Sequence, residues 1–397
     1  MAPDVALVLG GYDRSLIGFR GPLLHAMHEA GWRVVAAAPA EDPKVKPELA
    51  ALGAEFRGVK LSRTGTNPWN DFRSFMSCVA LIRATRPTVF LAYTLKPVGL
   101  GCLAASLCGV PRVYALITGL GSAFMTAGVR GWILSCLAGG LYRLSLQRCT
   151  KVFVQNAEIG RFLLDRGLVD RADRLVVVPG SGIDLRHFSA EPMPSVVRRF
   201  LFLGRLLRDK GVFELVSAAG LVRAVSPGIE VVLVGGSDAN ASSIPAAQIA
   251  TWRQEGAVTI QDPVGDVRPH LAACSVFVLP SYHEGLPRSV VEAMATGRPI
   301  ITSDTIGCRD TVFETGPADA DGVKWGQNGA VVPVGNSKAL AAAMLRFVRE
   351  PELAVKMGRE SLKLAEYHFK VERVNQLMMS EMEMIPGMDP TGPLHAL

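Results

Sequence analysis

Val276-Phe277-Val278-Leu279-Pro280-Ser281-Tyr282-His283-Glu284-Gly285-Leu286-Pro287-Arg288-Ser289-Val290-Val291-Glu292-Ala293-Met294-Ala295-Thr296-Gly297 decides how this chain is read. Residues 276–279 form a continuous apolar run, which predicts a buried strand that Pro280 ends. Gly285 and Pro287 predict a tight turn, with Pro287 in the first turn of a helix, where its missing N–H removes no bond. Gly297 and Pro299 are helix stop signals. The amides of Gly285, Leu286, Arg288 and Ser289 are therefore expected at a helix start beyond the strand's carboxyl end, a place that favours phosphate. Glu284 and Glu292 flank this turn. A carboxylate does nothing for the phosphate itself but accepts hydroxyl protons, as in ribose recognition. A sugar nucleotide carries both groups.

The pattern around this stretch is a repeated alternation. Apolar strands at 5–9, 33–38, 88–93, 112–117, 151–155 and 174–178 are separated by helix-like segments at 22–30, 71–85, 97–109, 129–147 and 157–166. The rhythm breaks at Gly180-Ser181-Gly182-Ile183-Asp184, and the two-proline stretch 190–196 reads as the interdomain linker. It then restarts, with strands near 200–202, 230–234, 258–260, 276–279 and 299–302. Such alternation predicts two α/β domains with parallel sheets, at 1–190 and 191–370. A helix near 370–384 is expected to cross back to the first domain, followed by a weakly attached tail at 386–397. A length of 397 residues suits two cores.

Composition narrows the class. Hydrophobic residues make up 49% and charged ones 20%, a globular balance on the apolar side. Met1-Ala2-Pro3-Asp4 leads straight into the first strand with no signal-peptide pattern. The seven cysteines are scattered, with no C-x2-C pair, and read as reduced core thiols of a cytosolic protein. No histidine spacing suggests a metal site. Residues 1–190 hold 22 Lys and Arg against 13 Asp and Glu, whereas 191–397 hold 20 against 23. From Arg57 to Lys151 there are 12 basic residues and one acid, Asp71. This implies an anionic partner: a diphosphate substrate or an anionic membrane surface, with nucleic acid disfavoured by the lack of any binding motif. The bland alternative is a merely basic surface. The run Trp132–Leu146 is too short and interrupted to span a bilayer. Flanked by Arg130, Arg143, Arg148 and Lys151, it fits a core-facing helix slightly better than an interfacial one.

A second element follows the first strand of the second domain: Leu203-Gly204-Arg205-Leu206-Leu207-Arg208-Asp209-Lys210-Gly211. Together with P-S-x-x-E-G-x-P-x-S-x-x-E-A-M-A-x-G-x-P at 280–299, it resembles the donor site of family 4 retaining glycosyltransferases, which have the GT-B fold: two Rossmann-like domains facing across a cleft. The resemblance implies Arg205 and Lys210 as diphosphate-binding cations and Glu292 as a ribose acceptor. It places Glu284 beside the reacting sugar carbon, as a positioning or charge-stabilising group rather than a nucleophile. Donor contacts are expected at Gly285, Leu286, Pro287, Arg288, Ser289, Gly235, Gly236 and Val264. Physically, without a metal, a nucleoside diphosphate leaving group needs cations and helix-start amides to hold its charge.

Tyr93-Thr94-Leu95-Lys96-Pro97 and Ile117-Thr118-Gly119-Leu120-Gly121 resemble a bacterial subgroup that extends polyprenyl-diphosphate-linked sugars. Acceptor contacts are accordingly expected at Gly11, Arg20, Lys96, Thr118 and Gly119, with Arg20 and Lys96 meeting phosphate. The histidine that many members carry near Thr118 is absent. Asp262-Pro263 stands where the family has a glycine before its base-recognition loop, so uridine rests on resemblance alone. Asp319-Ala320-Asp321 formally matches D-x-D, but without the strand context of a metal site. The expectation is a metal-independent transferase moving a hexose or N-acetylhexosamine from a UDP-sugar to a lipid-diphosphate-linked glycan, cytoplasmic and peripheral on the membrane's inner face. Three rivals are a GT-B sugar-nucleotide epimerase, a non-catalytic partner subunit, and a dehydrogenase. The last lacks its fingerprint, since Gly10-Gly11 is no G-x-G-x-x-G.

Overall fold

A computed structural model describes residues 4–61, 67–119, 139–237 and 242–386. The chain divides into two compact units, one running to Gly182 and resuming at Val371, the other Ile183–Lys370.

The first unit is built on β1 (Val5–Leu9), β2 (Arg33–Ala38), β3 (Ala54–Gly58), β4 (Val89–Tyr93), β5 (Arg112–Ile117), β6 (Lys151–Val154) and β7 (Leu175–Val177). Their order is β3-β2-β1-β4-β5-β6-β7, and every pairing is parallel. Both faces are covered, so β4 reads as an unbroken apolar run, Val-Phe-Leu-Ala-Tyr, buried throughout. β3 and the helix before it, Val45–Ala51, escaped the sequence reading because Ala54-Glu55-Phe56-Arg57-Gly58 has half-exposed charges typical of an edge strand. The helix Val371–Glu381 belongs to this unit. Its end is tied down where Trp32 Nε1 donates to the Met384 carbonyl at 3.2 Å and Arg112 donates to the Glu383 carbonyl at 2.9 Å.

The second unit repeats the plan with β8 (Arg199–Leu203), β9 (Glu230–Val234), β10 (Thr259–Gln261), β11 (Val276–Leu279), β12 (Ile300–Ser303), β13 (Lys324–Trp325) and β14 (Gly329–Val332). The order is β10-β9-β8-β11-β12-β14-β13, parallel except for the β13–β14 pair. The loop expected at 316–329 is thus largely a β-ribbon. The helices Ser337–Arg349 and Pro351–His368, absent from the sequence reading, carry clear start signals: Asn336 caps the first through Lys338 N and Ala339 N, and Pro351 opens the second. The two-proline stretch is no free tether. Arg298, fully buried, donates to the carbonyls of Glu191 and Pro192 at 3.2 and 3.0 Å and to those of Leu271 and Ala272, both at 3.0 Å.

Residues 139–146 of the apolar run are helical. Residues 132–138, Gly121 and the tail 387–397 lie outside the described residues. Among those described, no helix is long and apolar enough to cross a membrane. The cysteines there are free thiols, buried except Cys108.

Candidate active site

Among the parallel strands of each sheet the order reverses direction once, between β1 and β4 and between β8 and β11. Loops leaving the carboxyl ends of such neighbours diverge and open a binding crevice. In the second unit those loops are 204–211 and 280–287, the two stretches singled out by sequence. Pairing of Val276 with Phe200 and Phe277 with Leu201 brings them together.

Their contact is direct. Lys210 Nζ forms an ion pair with Glu284 Oε1, across 74 residues of sequence. Ser281 Oγ donates to the same oxygen at 2.9 Å. Tyr282 N donates to the Asp209 carbonyl at 2.8 Å, stitching the loop backbones. Gly211, at φ 69°, caps the helix Val212–Val225, and a Cβ there would strike the Pro280 carbonyl. Only glycine meets both demands. Two contributors were not picked out from sequence. Ser281 lay inside the quoted motif but bore no role. Gly307, at φ 76°, sits where a Cβ would collide with the carbonyls of Glu284 and Gly285, while Glu284 N donates to Ile306 O at 3.2 Å. Residues 306–307 thus buttress the glutamate loop from behind. Gly307→Ala is expected to lower turnover about tenfold or more through displacement of Glu284, with overall helicity retained; unchanged kcat would remove the buttress role.

Pro287 sits one position earlier than expected, at the N-cap of the helix Arg288–Ala295, with φ −73° and ψ 109°. Its carbonyl accepts from Val290 N and Val291 N at 3.1 and 3.3 Å. Arg288 and Ser289 then occupy the first turn, where the N–H groups lack carbonyls inside the helix. The Arg288 side chain reaches one turn forward along the helix: its Nε donates to Glu292 Oε1 at 2.9 Å. Burial pushes the Glu292 carboxyl pKa up, and Arg288 counteracts it. Leu286 is half-buried against the core and Gly285 lies at the turn.

Arg205 is exposed on the loop after β8. Gly235 and Gly236 follow β9, and Leu206 N donates to Gly236 O at 2.9 Å. Both glycines line a pocket of about 430 Å³ with Leu206, Arg253 and Asp262. Asp262 pairs with Arg253 at 2.8 Å, and Pro263 fills the space that a Cβ on Gly236 would need, so the departure from the family's glycine is accommodated locally. Val264 is exposed beyond it. Asp319 is spent on its own ribbon: Oδ1 accepts from Asp321 N and Val323 N at 3.0 and 2.9 Å, and Oδ2 from Trp325 Nε1 at 2.8 Å. Among the described residues no cluster of three or more His, Cys, Asp or Glu could hold a metal ion.

In the first unit, Gly11 and Lys96 leave β1 and β4 at the other reversal point. Gly11 lies against Thr94, which holds a left-handed φ of 69°, a strained conformation that concentrates at functional loops. Lys96 Nζ is bonded to Asp71 at 2.6 Å. The sole acid of the basic stretch therefore occupies the cation expected to meet phosphate, which must compete with it. Arg20 is buried, its guanidinium stacked 5.2 Å over the Tyr93 ring, whose hydroxyl meets Ser15 Oγ at 2.8 Å. Thr118 and Gly119 follow β5 on the same carboxyl edge.

Comparisons with known proteins follow the same division. Residues 197–350 match the family described as glycosyl transferases group 1, and residues 21–180 the glycosyl transferase 4-like domain. The chain is 27% identical over 311 residues to the N,N'-diacetylbacillosaminyl-diphospho-undecaprenol alpha-1,3-N-acetylgalactosaminyltransferase of Campylobacter jejuni, covering 75% of this chain and 80% of that protein. It is 24% identical over 335 residues to the capsular polysaccharide biosynthesis glycosyltransferase CapM of Staphylococcus aureus, covering 79% and 80%. Among solved structures, sucrose-phosphate synthase from Thermosynechococcus elongatus has a TM-score of 0.73 at 20% identity, covering 95% of this chain and 97% of that one. Anabaena HepE in complex with UDP-glucose has 0.73 at 17% identity, covering 96% and 100%. At such identities the likeness speaks for the fold.

Proposed function

Because the chain belongs to the GT-B glycosyltransferases, with a 4-like and a group 1 domain, we propose that it is a retaining, metal-independent enzyme moving a hexose or N-acetylhexosamine from a UDP-sugar to a lipid-diphosphate-linked glycan. The observation that carries this reading is the Lys210–Glu284 contact at the β8/β11 reversal, one turn from the Arg288–Ser289 helix start. It joins a cation for the leaving diphosphate to a carboxylate for the sugar. The name of the Campylobacter relative states a diphospho-undecaprenol-linked acceptor, and HepE was solved with UDP-glucose. Both support the substrate classes.

In this mechanism Lys210, Arg205 and the first-turn amides hold the diphosphate, while Glu292 accepts ribose hydroxyls. The bond from the anomeric carbon to the β-phosphate oxygen breaks as the acceptor oxygen bonds to that carbon on the same face. The acceptor proton passes to the departing phosphate oxygen. Glu284, held by Lys210 and Ser281, stabilises positive charge at the anomeric carbon. The first unit binds the acceptor through the loops after β1, β4 and β5, and the enzyme works peripherally on the inner face of the cytoplasmic membrane.

Incubation with a panel of UDP-sugars, with and without lipid-diphosphate acceptor, tests the reading. A glycosylated lipid formed only when both are present supports it. Conversion of a UDP-sugar to its epimer without acceptor would establish the epimerase instead. Lys210→Ala is expected to weaken UDP binding about tenfold by calorimetry, the worth of one charge-assisted contact; unchanged affinity would refute the diphosphate assignment.

A further inference from the structure

The helix Pro68–Thr85 departs from the usual pattern of a helix on a parallel sheet. Ser74, Cys78, Val79, Ile82 and Thr85 are buried beneath it. Its outer face nevertheless carries its largest apolar side chains: Trp69 is 61% exposed, Phe72 52% and Met76 46%. Spacing of three and four places them on one stripe. Trp69 and Phe72 stack at 5.7 Å, and Arg73 lies over the Trp69 ring at 5.8 Å. Ala80 and Arg83 continue the exposed stripe. Lys60, also exposed, is fixed beside it, since its amide donates to Ser77 Oγ at 3.0 Å. The one acid on the helix, Asp71, is bound to Lys96. The face is thus aromatic, basic and free of unpaired acid.

Its place in the fold adds the second observation. The helix precedes β4 in a parallel sheet, so it runs opposite to the strands and starts at their carboxyl edge. The Asp71–Lys96 pair joins its first turns to the loop leaving β4. Trp69 and Phe72 therefore lie at the edge where the acceptor loops cluster.

We propose that the outward face of Pro68–Thr85 is a docking surface for an anionic lipid bilayer, with Trp69, Phe72 and Met76 entering the interfacial layer and Lys60, Arg73 and Arg83 meeting headgroup phosphates. Aromatic side chains backed by cations are what such an interface binds. The excess of 12 bases over one acid from Arg57 to Lys151 supplies the complementary charge. The choice of occupant rests on the lipid-linked acceptor proposed above, and docking here would bring that acceptor's headgroup to the loop after β4.

Full-length protein is mixed with vesicles of phosphatidylcholine, with or without phosphatidylglycerol, and sedimented. Binding to the phosphatidylglycerol vesicles that weakens with salt is expected. Trp69→Ser/Phe72→Ser should lose about tenfold or more of it, with Tm and UDP affinity unchanged. Met76→Glu, a single exposed change, should do the same. Wild-type protein that ignores anionic vesicles, or variants that bind them as wild type does, would overturn the proposal. So would loss of a dimer or protein complex, rather than of vesicle binding, on substitution. Turnover of a detergent-solubilised acceptor is measured alongside. If it persists while vesicle binding proves absent, the docking surface fails and the transferase reading stands. If no acceptor is glycosylated although vesicles bind, the reverse holds.

Discussion

Glu284→Gln is expected to lower kcat by about a thousandfold while leaving UDP affinity within a few-fold of wild type. The substitution keeps the shape of the side chain and an oxygen able to accept from Ser281 and Lys210, so the loop stays placed. It removes the charge. That charge matters most when the anomeric carbon becomes positive, a condition met in the transition state and not in the nucleotide complex. Lys210 loses its counter-ion in the variant and remains available to the diphosphate, so nucleotide binding has no reason to fall. Single-turnover kinetics with calorimetry on the same preparation separate the two effects. Wild-type kcat would end the proposed role. A parallel collapse of UDP affinity would instead mark Glu284 as a structural partner of Lys210.

The second large effect concerns stability. Arg298→Met is expected to cost about 4 kcal/mol and to lower Tm by roughly 10 °C. Arg298 is completely buried, yet its guanidinium donates to the backbone carbonyls of Leu271, Ala272, Glu191 and Pro192. Methionine fills much of the volume and donates nothing. Four carbonyls at the end of the helix Arg268–Ala273 and in the stretch after the domain junction lose this donor at once, although Leu271 O keeps its bond from Cys274 N at 3.3 Å. Burial lowers the guanidinium pKa, as desolvation of a cation must, but the surrounding carbonyl dipoles keep the charge worthwhile. Chemical denaturation followed by fluorescence checks the figure. A loss below about 1 kcal/mol would show that water replaces the donors.

How much of this was legible depended on the range of the interactions. The strand 276–279, the turn and the helix start were readable because strand, proline and capping rules act over a few residues. The misplacement of Pro287 by one position is the usual error at a helix boundary. β3 and β13 were not readable, since an edge strand with charges and a two-residue strand carry no periodicity. The helices from Ser337 to His368 carry local start signals of the same short range, Asn336 and Pro351. Asp319-Ala320-Asp321, set aside in the sequence for want of strand context, is a motif by spelling alone: the Asp319 carboxylate is spent on its own backbone.

The sequence by itself determined the local geometry of the candidate site, because the residue types and turns are set within 280–299 and 204–211. It also determined the alternation that makes two parallel sheets. Only the tertiary structure decided who meets whom. Lys210 reaches Glu284 because β8 and β11 are neighbours, Lys96 is answered by Asp71 because a helix returns along the sheet, and Arg298 finds the carbonyls of 191 and 192 because the chain doubles back under its own motif. The physical reason is that strand order closes loops of tens of residues. The free energy of that closure is spread over the whole core, where no local pattern records it.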